Sequence, residues 1–143
     1  MIGGRSVGEP AVSVRRDDPR VRTDAQRAGD SAESAVAERL TRAGWTVIGR
    51  QVRTGRLELD LVAVDPGPPR ALVVLEVRYR SRRDFGLAEE SLGHRKRARV
   101  REAALRLRSA GTLPDGTPLP PHPLRIDLVV VEPGSVRHHR GVL

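Results

Sequence analysis

The chain contains no cysteine, which excludes disulfides and thiolate-held metals at once. Aromatic residues make up only 2% of it, too few for the stacking platforms that grip unpaired bases. No apolar run approaches the length of a membrane span, and the N-terminus lacks the apolar centre of a signal peptide. Together these absences predict a soluble protein of a reducing compartment, the cytoplasm, with no membrane partner. Lysine is the least expected shortage, because 25 arginines accompany one lysine, Lys96. An arginine bias of that size weakens arguments from single arginines and draws attention to the one ammonium.

What is present fits one domain. At 143 residues, 38% hydrophobic and 31% charged, the chain can bury a modest core. Its formal charge is +8, unevenly spread. Residues 78–108 hold ten arginines and one lysine against four acids, a net of +7, and the rest is nearly balanced. A concentrated basic block suits a phosphate-backbone ligand. Its candidate contacts are Arg80, Arg82, Arg83, Arg95, Arg97 and Arg101. Solvated arginines of a biased composition are the plainer explanation.

The most informative stretch runs from Gly55 to Arg80. Alternation places Leu57, Leu59 and Leu61 on one face and Glu58 and Asp60 on the other. In the next apolar run Val74, Glu76, Arg78 and Arg80 share a face. Asp65-Pro66-Gly67-Pro68-Pro69 supplies the turn. An antiparallel hairpin centred on Pro68 sets Asp60 opposite Glu76, and Glu58 opposite Arg78. Two facing carboxylates repel unless they are exposed, share a proton or hold a cation. Hard divalent ions such as magnesium favour such oxygen ligands. A solvated polar face accounts for Glu58 and Asp60 alone. Glu76 interrupts a strand that otherwise reads as buried on both sides, and a buried charge requires a partner.

Around this hairpin, residues 1–23 read as a flexible leader and 24–143 as a single domain. A helix begins near Asp24, with Ala32, Ala35, Val36, Leu40 and Ala43 as its apolar stripe, Glu33 beside it and Gly44 as its C-cap. Trp45–Val52 reads as a strand, with Arg53-Thr54-Gly55 as its turn. A second helix spans about Ala88 to Arg108, burying Leu92, Val100, Ala103, Ala104 and Leu107. His94 has no companion at ligand spacing. Residues 111–123 form a proline-rich loop, expected to be mobile. A strand from Leu124 to Glu132 follows, and the tail has the makings of one more edge strand. His138 and His139, being adjacent, point to opposite faces and do not share a metal. The predicted class is α/β, a mixed central sheet flanked by helices in the order αβββαβ.

These pieces, in this order, resemble the YraN-like bacterial proteins, uncharacterised protein family 0102, within the PD-(D/E)xK (restriction-endonuclease-like) superfamily. The resemblance rests on Gly29-x-x-x-Glu33, Gly44-Trp45, Gly55-x-x-Glu58-x-Asp60-Leu61, Glu76-Val77-Arg78-x-Arg80, Phe85-Gly86, the helix with Lys96, and Arg125-Ile126-Asp127-Leu128. It covers roughly Gly29 to Glu132. It implies a restriction-endonuclease-like core and a metal-dependent endonuclease or phosphodiesterase acting on DNA, including branched or single-stranded forms. Asp60, Glu76 and the Val77 carbonyl would then hold magnesium or manganese, with Glu33 assisting directly or through water. The chain departs from the pattern at Arg78, which stands at the position of the superfamily's catalytic lysine. Arginine cannot act as a general base, but it can clamp phosphate or offset developing charge. Three accounts stay open: Arg78 acting electrostatically, the lysine's role moved to Lys96, or a nucleic-acid binder without catalysis. The last includes an interaction module in a repair or recombination assembly. Oligomeric state, a homodimer included, is left open by these residues.

Overall fold

The protein is described from a computed structural model covering residues 23–81 and 93–142. The elements run α1 (Asp24–Arg42), β1 (Thr46–Thr54), β2 (Leu57–Asp65), β3 (Ala71–Tyr79), α2 (His94–Ala110), β4 (Leu124–Glu132) and β5 (Ser135–His139). The expected α/β class and mixed sheet are present, with β5 as the additional edge strand. Most of the expected leader and residues 88–92 of the second helix lie outside the described residues. Among those described, no helix is long and apolar enough to cross a membrane.

Helix α1 starts at a capping box: Thr23 Oγ1 accepts from the Gln26 N–H, and the Gln26 side chain accepts from the Thr23 N–H. Each bond satisfies a donor that a helix start leaves open. The helix ends where Gly44 takes φ +93 and the Trp45 N–H returns to the Leu40 carbonyl. Its inward face carries Ala32, Glu33, Val36 and Leu40. Ala35 and Ala43, expected in the stripe, are exposed. Glu33 takes an inward position instead.

The five strands lie in the order β1-β2-β3-β4-β5, all neighbours antiparallel except the parallel pair β3–β4. Helix α2 makes the crossover that this parallel pair requires. Its Val100, Ala103, Ala104 and Leu107 pack on one face of the sheet with Leu59, Val62, Leu72, Val74 and Ile126. On the other face, Val36 and Leu40 of α1 pack with Trp45, Leu61, Ala63, Val73, Leu75 and Val129. With a helix on each face, β3 is buried from Ala71 through Glu76, as its continuous apolar run predicts.

Three local expectations change. Strand β1 continues through Thr54, so the hairpin turn is Gly55-Arg56, where Gly55 adopts φ +62. Leu57 and Leu59 do not share a face with Leu61: the first two join the α2-side core and Leu61 the α1-side core. The switch occurs at the rung of Gln51 and Asp60. Gln51 is the one described non-glycine residue with positive φ, at 48°, a conformation costly for a residue bearing a Cβ. The proline-rich stretch 111–123, expected to be a mobile connector, is built into the fold. Leu113 is buried in the α2-side core, and its N–H bonds the Thr117 carbonyl at 2.8 Å. The Arg108 guanidinium ties α2 to the Pro120 and His122 carbonyls.

Candidate metal and phosphate site

The β2–β3 register fixes the centre of the site. Pairing runs from Asp65↔Ala71 to Leu61↔Leu75, the register of a hairpin centred on Pro68. The ladder opens one position further on, at Asp60 and Glu76. There the Asp60 carboxylate replaces a backbone partner: its Oδ2 accepts the Val77 N–H at 2.8 Å. A β3 donor is thereby satisfied and the carboxylate is held at the strand edge. Glu58 lies beyond the opened ladder, and its ionic partner is Arg53 across β1, at 3.5 Å, rather than Arg78.

Glu76 faces α2. It is 4% exposed, and its Oε1 is buried without a hydrogen-bond partner. The nearest cation is the Lys96 ammonium, 3.8 Å from that oxygen, within ionic reach and too far for a hydrogen bond. Burial, then the charge of Asp60 and a side-chain hydrogen bond with it, raises the Glu76 carboxyl to about 8. Lys96 and Arg78 pull the other way. At neutral pH the facing acids therefore hold a proton, since two bare carboxylates in contact disfavour double ionisation.

Glu33 approaches from α1 on the opposite side of the sheet. Its Oε2 accepts from the Gln51 side-chain amide at 2.5 Å. Burial raises its carboxyl above the ordinary value, opposed by the Gln51 bond and reinforced by the Asp60 charge. Glu33 is thus electrostatically coupled to the site. Even so, no three acidic or histidine side chains among the described residues converge as a metal cage. Gln51 is the residue that sequence reasoning misses, because an isolated polar residue in a short strand carries no visible mark of a left-handed backbone.

Of the predicted basic contacts, Arg95, Arg97 and Arg101 lie exposed on α2. Arg80 follows the end of β3, half-buried, with its N–H on the Val131 carbonyl. Arg78 is half-buried near Glu76. Arg82 and Arg83 lie outside the described residues, and so do Phe85 and Gly86. Trp45 is buried beneath the Arg125 and Arg140 guanidiniums, each 5.6 Å from its ring, and so offers no stacking surface. His138 and His139 are adjacent in β5. His138 Nε2 bonds Asp127 at 2.8 Å.

A mixed sheet covered by one helix on each face, with paired carboxylates where the central hairpin opens, is compatible with a restriction-endonuclease-like fold. The chain belongs to Uncharacterised protein family UPF0102, whose profile matches residues 32–131. It is 39% identical to a UPF0102 protein of Symbiobacterium thermophilum over 110 residues, 76% of this chain and 85% of that one. It is 40% identical to a relative in Roseiflexus castenholzii over 108 residues, 76% of this chain and 81% of that one. A third, in Sorangium cellulosum, is 46% identical over 102 residues, 71% of this chain and 62% of its own length.

Proposed function

We propose that the protein is a divalent-metal-dependent phosphodiesterase that cleaves nucleic acid, with DNA, branched or single-stranded, as the favoured substrate. The observation that carries this reading is the buried, unpartnered Glu76 Oε1 beside Asp60. A stable core gains nothing from a buried oxygen that faces a second acid and has only an ammonium at 3.8 Å in place of a hydrogen-bond partner. A cation between them resolves both the repulsion and the missing partner.

The donor set suits the ion. Magnesium and manganese take oxygen ligands, commonly one or two carboxylates completed by water and substrate phosphate. Asp60 and Glu76 would hold it, with the Val77 carbonyl beside them. Bound there, the ion supplies Lewis acidity and a water of lowered pKa. The remaining steps fall to side chains. The Val77 N–H fixes the aim of Asp60, and Glu76 must give up its proton for the ion to bind. Lys96 presents a compact ammonium toward the phosphate, and Arg78 clamps or offsets its charge. Glu33 adds negative charge from the α1 side. The solvent-side arginines of α2 draw in the polyanion without reading its sequence.

Arginine in place of lysine at position 78 favours a second reading, a nucleic-acid-binding protein without catalysis in a repair or recombination assembly. One assay separates them. Single-stranded, duplex, flap and four-way substrates are incubated with magnesium or manganese, alongside an Asp60→Ala control. Cleavage of any substrate above the control supports the enzyme. Salt-sensitive binding with no cleavage above the control leaves the binder.

A further inference from the structure

A well-formed cleft lies apart from the carboxylate site. It is a depression of about 700 Å³ between the β1–β2 turn and α2, lined by Gly55, Arg56, Leu57, Arg99, Ala103 and Arg106 among others. We infer that this cleft is a second phosphate subsite, holding the backbone of a nucleic-acid strand whose scissile phosphate lies at Asp60 and Glu76. This rests on the proposed nuclease reading for the strand's other end, though the cleft's own binding is measurable without it.

Charge is the first argument. Three guanidiniums and one carboxylate, that of Glu102, border the cleft. Glu102 is taken by Arg106 at 2.7 Å. Among the described residues, the Arg56 and Arg99 side chains have no hydrogen-bond or ion-pair partner. Two guanidiniums facing one concavity repel each other. An anion with several oxygens removes that repulsion, and phosphate accepts the planar fork in a bidentate manner.

Space is the second argument. A Cβ built on Gly55 would stand 2.9 Å from Arg106 Nη1. The absent side chain, at φ +62, lets the guanidinium lie against the turn and keeps the floor open. Leu57 and Ala103 give that floor an apolar patch suited to sugar. Among the described residues no aromatic ring lines the cleft, so it offers nothing on which a base would stack.

Position is the third. Lys96, Arg99, Ala103 and Arg106 follow the i, i+3, i+7, i+10 spacing of a single helix face. Lys96, at one end, reaches Glu76; Arg106, at the other, reaches the Gly55 turn. Ten helical residues rise about 15 Å. At ~3.4 Å per stacked nucleotide this separates the two phosphates by on the order of four nucleotides. Of the contacts expected on this helix from the sequence, Arg95 stands one turn before Arg99 on the same side, Arg97 and Arg101 occupy a different face, and Arg56 lies outside the basic block altogether.

The test uses oligothymidylates of increasing length, from the dinucleotide upward, bound to the full chain without divalent ions. Wild type is expected to show a step in affinity once the strand spans both ends, at about four to five nucleotides. Arg56→Gln with Arg99→Gln is expected to remove the step. Each lost charged contact costs roughly tenfold, and the salt slope falls by about 0.7 per contact on single strands. Both side chains are exposed, so unfolding is not anticipated, and Arg39→Gln with Arg42→Gln, both exposed on α1, serves as the charge-matched control. A step that survives in the double variant overturns the subsite. So does inorganic phosphate or thymidine monophosphate displacing long oligomers as well as short ones, which marks a free-anion site. A step lost on substitution, in a protein that cleaves nothing, upholds the subsite while the nuclease reading falls.

Discussion

The Lys96 ammonium stands 3.8 Å from the buried Glu76 Oε1, so α2 delivers the chain's sole lysine to the carboxylate pair. Arginine in that place would bring a broad fork to a site sized for a point charge. On the proposed reading, Lys96→Ala lowers cleavage by at least ~10²-fold, the scale of one preorganised electrostatic donor. Lys96→Arg does not restore it. Full activity in Lys96→Ala would remove Lys96 from the chemistry.

Metal binding is expected to depend on pH. Glu76, raised to about 8, is protonated at neutral pH, and an incoming ion must displace that proton. Affinity for magnesium or manganese therefore climbs with pH and levels off above about 8. Calorimetry in buffers of different ionisation enthalpy is expected to report about one proton released at neutral pH. Glu76→Gln and Asp60→Asn each abolish binding while the fold persists. Equal affinity in wild type and the double variant would dismiss the metal site.

Much of this geometry is legible in the sequence, for definite physical reasons. The cluster Asp65–Pro69 leaves a single place for the turn, and a period of two then fixes every rung from there to Leu61 and Leu75. That is how Asp60 and Glu76 are brought together. The same rule fails beyond Leu61, because it assumes an unbroken pleat. The pleat is interrupted beside the left-handed Gln51, where Leu59 and Leu61 go to opposite cores and Asp60 bonds Val77. The cleft is hidden for another reason: a count of charges along the chain does not show which arginines face a turn of another element. The stretch 111–123 misleads through composition, since its prolines conceal a buried Leu113.

Asp127 should reveal itself in acid unfolding. Burial would raise its carboxyl, but bonds from His138, Arg125 and the Gly141 N–H lower it to about 2. A carboxyl lower in the folded than in the unfolded chain stabilises the protein above the ordinary value. That stabilisation is lost as pH falls through about 2. Asp127→Asn is therefore destabilised at neutral pH. Its deficit should shrink by about 2 kcal/mol on acidification, the scale of lowering a carboxyl this far at ~1.4 kcal/mol per pH unit. Urea unfolding at a series of pH values measures this. A deficit independent of pH would mean that the carboxylate charge contributes nothing and only the shape of the network matters.

Arg78 decides whether the site is an enzyme's or a binder's. It is half-buried near Glu76 and, with Lys96, opposes the rise in that carboxyl. Its charge therefore already acts on the pair. Its guanidinium cannot accept a proton at any working pH, so a role in catalysis must be electrostatic. On that basis Arg78→Ala lowers kcat by at least ~10²-fold, with a smaller change in KM, because the contact strengthens only as charge grows on the phosphate. Arg78→Lys retains or raises activity, since it puts a positive charge at the same strand position with less bulk. A binder gives a different pattern: Arg78→Ala and Arg78→Lys alter affinity and its salt dependence alone, and no substrate is cut by either or by wild type. The informative comparison is Arg78→Lys together with Lys96→Ala. If an ammonium on the strand restores the cleavage that loss of Lys96 removed, the two positions serve one phosphate. If the double variant stays as inactive as Lys96→Ala, the role belongs to α2 and cannot be moved back to the strand.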